Sequence, residues 1–286
     1  VLQCYHISKQ SIVYLIFFKL LKTITFTKSL TYIKLDIDER EVSKGFSKKV
    51  RLVLKYINIL SVETKKMTNY MNKNNILGKE VAYIPNGFYH NKERENVNFK
   101  DKENLIITVG RIGNFQKDNE LLLEGFKDFA AQNSNWRLEL IGPIEDGFNS
   151  YIENYFQENP SLISRVTFVG NISDRNLLQQ KYKKAKIFVL TSPWESFGIV
   201  LVEAISKGCF LITTNFSSAH DITDNQKYGL LFESGDNKRL TELMLKVTGD
   251  SDLMEKSCHE VQDFAYDNFS LKRICADIDF LVKKVL

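Results

Sequence analysis

The chain has 286 residues, 43% hydrophobic and 26% charged, an ordinary globular composition long enough for two domains and unlike a disordered or fibrous chain. Its 39 Lys and Arg against 35 Asp and Glu leave a formal charge of +4, dispersed along the chain, which suits an anionic ligand or a membrane surface and does not require nucleic acid. Cys4, Cys209, Cys258 and Cys275 form no C-x-x-C pair and no Cys/His cluster of zinc spacing, so neither a disulfide framework nor a structural metal is implied and the setting reads as reducing and cytoplasmic.

In chain order, Val1 to Ile7 reads as a strand and Ser11 to Leu21 as a helix. The apolar run Ile12 to Phe18 inside that helix is broken by Lys19 and Lys22, far short of the roughly 20 residues that cross a bilayer, and is expected to be buried. No small-residue cleavage site follows it, so a signal peptide is a poor reading. The chain opens without methionine on what reads as mid-strand, which leads to the expectation that an upstream part precedes Val1. A strand from Leu30 to Ile37, an amphipathic helix from Phe46 to Tyr56, a strand from Ile57 to Val62, a helix from Lys65 to Asn72 and a strand from Val81 to Ile84 follow, stopped by the turn Pro85 to Gly87. Asn86 to Glu103 is polar and is expected to be a linker.

The second half is a fuller β–α series. Strands are expected at Leu105 to Val109, Trp136 to Ile141, Arg165 to Val169, Lys186 to Thr191, Cys209 to Thr213 and Tyr228 to Phe232. Helices are expected at Asn119 to Gln132, Tyr151 to Glu158, Asp174 to Lys184, Ile199 to Ile205, and from Asp236, Asp252 and Leu271 onward. Such alternation predicts an α/β fold with doubly wound parallel sheets. The expected domains are 1–90, an incomplete N-terminal Rossmann-like domain; 91–268, a C-terminal one; and 269–286, a helix packing back on the first.

Ligands of such sheets bind at the carboxyl ends of strands. The stretch Ala185 to Gly208 places one strand end against a helix N-terminus, with Ser196 a candidate N-cap and the N–H groups of Phe197, Gly198 and Ile199 candidate anion donors. Glu195 lies before that helix and Glu203 within it. Either they are a solvated loop acid and a surface acid, or both face one crevice; Glu203 is flanked by apolar residues and needs a partner if covered. After the strand ending at Val109, the loop GRIGNFQKD carries Arg111 and Lys117, which either are solvated or clamp a diphosphate. No G-x-G-x-x-G and no P-loop occurs, which argues against a nicotinamide dehydrogenase or a Walker-type ATPase. The loops GPIED and GNIS are by themselves ordinary turns, whose glycines would allow backbone groups to approach a flat base.

Together, the E-x7-E string ESFGIVLVE from Glu195 to Glu203, Gly110 and Arg111 with Lys117, and YGLLFESGD from Tyr228 resemble a retaining glycosyltransferase of family 4, whose two Rossmann-like domains form the GT-B fold. The resemblance implies that Arg111 and Lys117 neutralise a donor diphosphate, that Glu195 and the amides of Phe197, Gly198 and Ile199 orient sugar and phosphate, and that Glu203 holds the ribose. It further implies that Gly110 belongs to the donor-binding residues, that the backbone around Asn171 and Pro143 reads the base, and that neither metal nor cofactor is needed besides the nucleoside-diphosphate sugar. His6 lies where the family places a sugar-facing histidine; an ordinary satisfied histidine is the competing reading. The implied acceptor is a glycan or lipid-linked molecule of bacterial surface-polysaccharide synthesis, in the cytoplasm, with room for peripheral contact at the inner face of the membrane and no nucleic acid. A non-catalytic nucleotide-binding subunit and a GT-B sugar-nucleotide epimerase are the other readings. Three departures from the family pattern stand out: Ser196 for glycine, Lys117-Asp118 for K-G, and SSAHD from Ser217 to Asp221 where G-G-x-x-E is usual.

Overall fold

Apolar runs without alternation become parallel strands whose two faces are both covered. A computed structural model describes residues 1–5, 9–25, 30–37, 42, 45–89 and 94–286, so His6 lies outside the described residues. The chain forms two compact units, Val1–Asn86 with Leu271–Leu286, and Gly87–Ser270.

In the first unit, strands β1 (Leu2–Tyr5), β2 (Thr31–Leu35), β3 (Ile59–Val62) and β4 (Ala82–Tyr83) form one parallel sheet in the order β1-β2-β3-β4. One core gathers Ile33, Leu35, Leu60 and Val62 with Leu54, Met67 and Met71. Tyr32, Leu30 and Ile59 form a second cluster with Ile278, Leu281 and Val282 of the helix Leu271–Val285. Ser47 and Thr64 cap the helices Lys48–Lys55 and Lys65–Lys73 by accepting from Val50 N–H and Met67 N–H. Buried Lys34 donates to the Pro85 carbonyl at 2.9 Å and to Asn86 Oδ1 at 2.6 Å, pinning the turn that ends this part of the unit.

The helix Lys9–Thr25 corrects an expectation. Ser11 and Leu15 are buried, but Val13, Tyr14, Ile16, Phe17, Leu20 and Ile24 are exposed. Seven consecutive apolar residues span two turns, whereas a helix buries one stripe against a sheet, so the rest must face outward. Among the described residues no helix is long and apolar enough to cross a membrane.

The second unit holds β5 (Glu103–Val109), β6 (Arg137–Ile141), β7 (Val166–Gly170), β8 (Ala185–Leu190), β9 (Phe210–Thr214) and β10 (Gly229–Phe232), all parallel, in the order β10-β9-β8-β5-β6-β7. After β7 the chain crosses back to lay β8 on the free side of β5, so the strand order reverses between β5 and β8. Ile106, Ile187 and Val189 enter one core with Phe126, Phe129 and Leu243. Their neighbours Ile107, Phe188 and Leu190 enter the other, with Leu201, Val202 and Phe269. This two-sided burial is why these strands read as unbroken apolar runs.

Within the expected linker, Phe88, Val97 and Phe99 are buried in this unit. Phe88 N–H bonds the Phe269 carbonyl at 3.0 Å, and Val97 N–H bonds Gln262 Oε1 at 3.2 Å. Three isolated apolar residues among polar ones give no periodicity, which hid this packing from the sequence.

Candidate functional site

The carboxyl ends of β5, β6 and β7 each run into a glycine, and backbone bonds tie these ends together. Gly110 N–H donates to the Ile141 carbonyl at 3.0 Å, and Gly142 N–H to the Gly170 carbonyl at 2.9 Å. Gly142 has φ 148°, and a Cβ there would fall 1.7 Å from the Gly110 oxygen, so only glycine fits. The strand ends therefore form a close-set floor with little side-chain bulk.

From this floor the loop after β5 leads through a short turn, Phe115–Lys117, into the helix Asn119–Ala130. Lys117 lies back over Gly110: a Cβ on that glycine would meet Lys117 Cε at 3.3 Å. Asp118 is left-handed, φ 44°, and its carboxylate caps the helix by accepting from Leu121 N–H. The Lys117-Asp118 departure is thereby explained. The position demands a residue tolerant of positive φ, and aspartate adds a cap that glycine cannot supply. Burial holds the Asp118 carboxyl above its usual range, partly offset by the Leu121 N–H.

The loop after β8 meets this turn. Thr191 Oγ1 donates to the Lys117 carbonyl at 2.9 Å, Gln116 Nε2 to the Trp194 carbonyl at 3.1 Å, and the Phe115 and Trp194 rings lie 6.0 Å apart. At the junction Lys117 Nζ pairs with Glu195 Oε1 at 2.5 Å; their side chains are 17% and 11% exposed. A covered pair like this loses hydration that the mutual attraction must offset, and its two groups are held in one geometry. An anion entering there gains a fixed cation that must be shared with Glu195.

Arg111 does not join this pair. Its guanidinium is exposed and lies 3.9 Å from Glu145 Oε1, a surface contact of small energetic weight. The expected cap at Ser196 is also corrected. Gly198, at φ 80° and ψ 59°, precedes the helix Ile199–Ser206, and no side chain caps it. Leu201 N–H bonds the Gly198 carbonyl at 2.9 Å, so the first amide of the helix proper is that of Ile199, while those of Phe197 and Gly198 belong to the approaching loop. The chain needs a left-handed residue to turn into this helix, and Gly198 supplies it two residues beyond the serine.

Phe197 is buried, and its carbonyl accepts from Ser218 Oγ at 2.7 Å. The segment expected as the loop SSAHD is a short helix, Ser217–Ile222, and neither serine has a positive φ. Glycine is therefore not demanded by the backbone, and the Ser218 hydroxyl braces the turn before Gly198.

Glu203 finds its partner inside the protein. Tyr182, from the helix Arg175–Lys184, donates its hydroxyl to Glu203 Oε2 at 3.0 Å. Burial pushes the Glu203 carboxyl above its ordinary range, while the Tyr182 hydrogen bond and the Arg175 charge pull it back. Glu203 lines a cleft of about 300 Å³ with Tyr89, Ile172, Ser173, Arg175 and Gln179. Asn171 is exposed and bonds Ser173 at 3.3 Å, and Pro143 is exposed; Ile172 and Ser173 line the cleft instead. Tyr182, Thr191 and Arg175 carry no motif, and their part in the site depends on partners distant in sequence.

Comparison with known proteins shows the family and the fold. Residues 90–266, more than half of the chain, match the family model described as "Glycosyl transferases group 1". A Staphylococcus aureus capsular polysaccharide biosynthesis glycosyltransferase, CapM, is 28% identical over 202 residues, covering 69% of this chain and 50% of the relative. An Escherichia coli UDP-Gal:alpha-D-GlcNAc-diphosphoundecaprenol alpha-1,3-galactosyltransferase is 25% identical over 234 residues, covering 74% of this chain and 59% of that one. The chain thus spans about half the length of the curated relatives it matches. Among solved structures, Anabaena Alr3699/HepE in complex with UDP superposes with a TM-score of 0.72 at 16% identity, covering 99% of this chain and 79% of that one, which shows a shared GT-B-like α/β fold.

Proposed function

The chain belongs to the glycosyl transferases group 1 family, and from that premise we propose that the protein transfers a sugar from a nucleoside-diphosphate sugar to a glycan or lipid-linked acceptor, with retention, as a family 4 enzyme of bacterial surface-polysaccharide synthesis. The observation that carries this reading is the Lys117–Glu195 pair, set where the strand order reverses between β5 and β8, the place at which open α/β sheets receive their ligands.

In this reading Lys117 meets the charge that builds on the departing diphosphate, and Arg111 swings from the surface to share it. The Ile199 amide, at the positive end of its helix, faces the same charge, with the Phe197 and Gly198 amides beside it in the loop. Such fixed donors are preorganised electrostatic stabilisation, and the scheme uses no metal. Glu195 orients Lys117 and the sugar, Gly110 lets the phosphates approach the backbone, and Glu203 takes the ribose hydroxyls. The intact pair speaks against a purely structural nucleotide-binding module. A cytoplasmic location with peripheral contact at the membrane belongs to the same proposal, with Val13, Phe17, Leu20 and Ile24 as the contacting face.

A thermal-shift and hydrolysis screen against UDP-, GDP- and ADP-sugars tests it. At least one donor is expected to raise the melting temperature, and Lys117→Ala and Glu203→Ala are each expected to remove most of that rise. If no donor stabilises the protein, or both variants keep the full shift, the donor-site assignment fails.

A further inference from the structure

A fully buried hydroxyl beside the cleft calls for an explanation. Tyr182 has no solvent exposure, its ring lies 5.9 Å from that of Phe188, and phenylalanine would fill the same space. Burying a hydroxyl is costly unless it is hydrogen-bonded. Among the described residues its one hydrogen-bond partner is Glu203 Oε2, and Glu203 Oε1 meets no donor there.

We propose that Tyr182 is a positioning residue for the nucleotide: it fixes one oxygen of Glu203 so that the other faces the cleft and accepts from the vicinal hydroxyls of a ribose. This rests on the reading of Glu203 as the ribose contact.

The two helices that carry the pair are tied together at their carboxyl ends by one buried cation. Lys102 Nζ donates to the carbonyls of Ala185 at 2.7 Å and Lys183 at 3.1 Å, closing the helix of Tyr182, and to that of Lys207 at 2.7 Å, closing the helix of Glu203. A positive charge at two helix C-termini is favourable, and here it also holds the two helices in register. Cys209 Sγ adds a bond to the Tyr182 carbonyl at 3.1 Å. The Tyr182 hydroxyl is therefore held on a braced support, as a positioning group must be.

The same contact sets a pH dependence. Among the described residues, Tyr182 and Arg175, both from the helix Arg175–Lys184, are the titratable and charged groups that act on the Glu203 carboxyl, and none from the adjoining helix Ser251–Phe269 does. Burial raises this carboxyl, so nucleotide affinity climbs as pH rises through a value above the ordinary carboxylate range and is level beyond it. Both groups hold the carboxylate down, so loss of the Tyr182 hydroxyl moves that acidic limb to higher pH.

The experiment titrates UDP and 2′,3′-dideoxy-UDP calorimetrically into the wild-type protein, Tyr182→Phe and Glu203→Ala across the acidic and neutral range. Wild type is expected to prefer UDP over the dideoxy form about tenfold. Glu203→Ala is expected to abolish the preference, and Tyr182→Phe to reduce it to about threefold while shifting the acidic limb upward. The ratio compares two ligands on one protein, so partial loss of folded protein does not imitate the effect. Unchanged preference and unchanged acidic limb in Tyr182→Phe, with the preference lost in Glu203→Ala, overturn the positioning role alone. Preference retained in Glu203→Ala overturns the ribose contact beneath it, and so does failure of UDP and the corresponding GDP and ADP pairs to bind wild type.

Discussion

Asp118 shows how one residue can meet two demands. Its φ of 44° disfavours any side chain that cannot satisfy itself locally, and its carboxylate caps the following helix. Replacing it with alanine loses the cap and keeps the left-handed backbone, a loss of about 2 kcal/mol. Replacing it with glycine loses the cap but relieves the backbone, so Asp118→Gly is expected to lie within a few tenths of a kcal/mol of wild type. Thermal melts of the two variants decide this: about 4–8 °C is expected to separate them, and coincident melts would contradict the account. Lys117 depends on this turn, because its backbone carbonyl is held by Thr191 while its side chain reaches Glu195.

At the scale of elements, the ends of the β5, β6 and β7 strands act as one floor because glycines let them close up. Gly142→Ala places a methyl group against the Gly110 carbonyl and forces a disfavoured φ, and it is expected to cost about 3 kcal/mol or more. Gly147→Ala meets open space and is expected to leave the melting temperature within about 1 °C. Equal stability of the two variants would mean that the floor tolerates separation. The central strands were legible in the sequence because they are buried on both faces, so Ile187 to Leu190 needed no alternation to be recognised. The helix Lys9–Thr25 was legible as a helix but not in its exposure, since an all-round apolar run says nothing about which stripe meets the sheet. The start of the helix Ile199–Ser206 was legible but its cap was not: Ser196 has capping chemistry, whereas the backbone turn requires the left-handed Gly198.

For the whole molecule, the family match from residue 90 to 266 falls within the unit Gly87–Ser270, and the residues that carried the resemblance lie in that unit too. The Lys117 and Glu195 positions were legible because short motifs follow two strands of a recognisable β–α series. Their pairing was not, since it depends on β8 lying beside β5, which only the strand order reveals. Tyr182 stayed hidden for the same reason: it is 21 residues from Glu203 and reaches it across two helices. The measurement that tests the central claim most directly is calorimetric titration of UDP, with GDP and ADP beside it, into wild type and Lys117→Ala. The account predicts that the nucleotide which binds wild type binds Lys117→Ala at least tenfold more weakly, through the loss of a charge-assisted contact to the diphosphate. Equal affinity in the two proteins would contradict it.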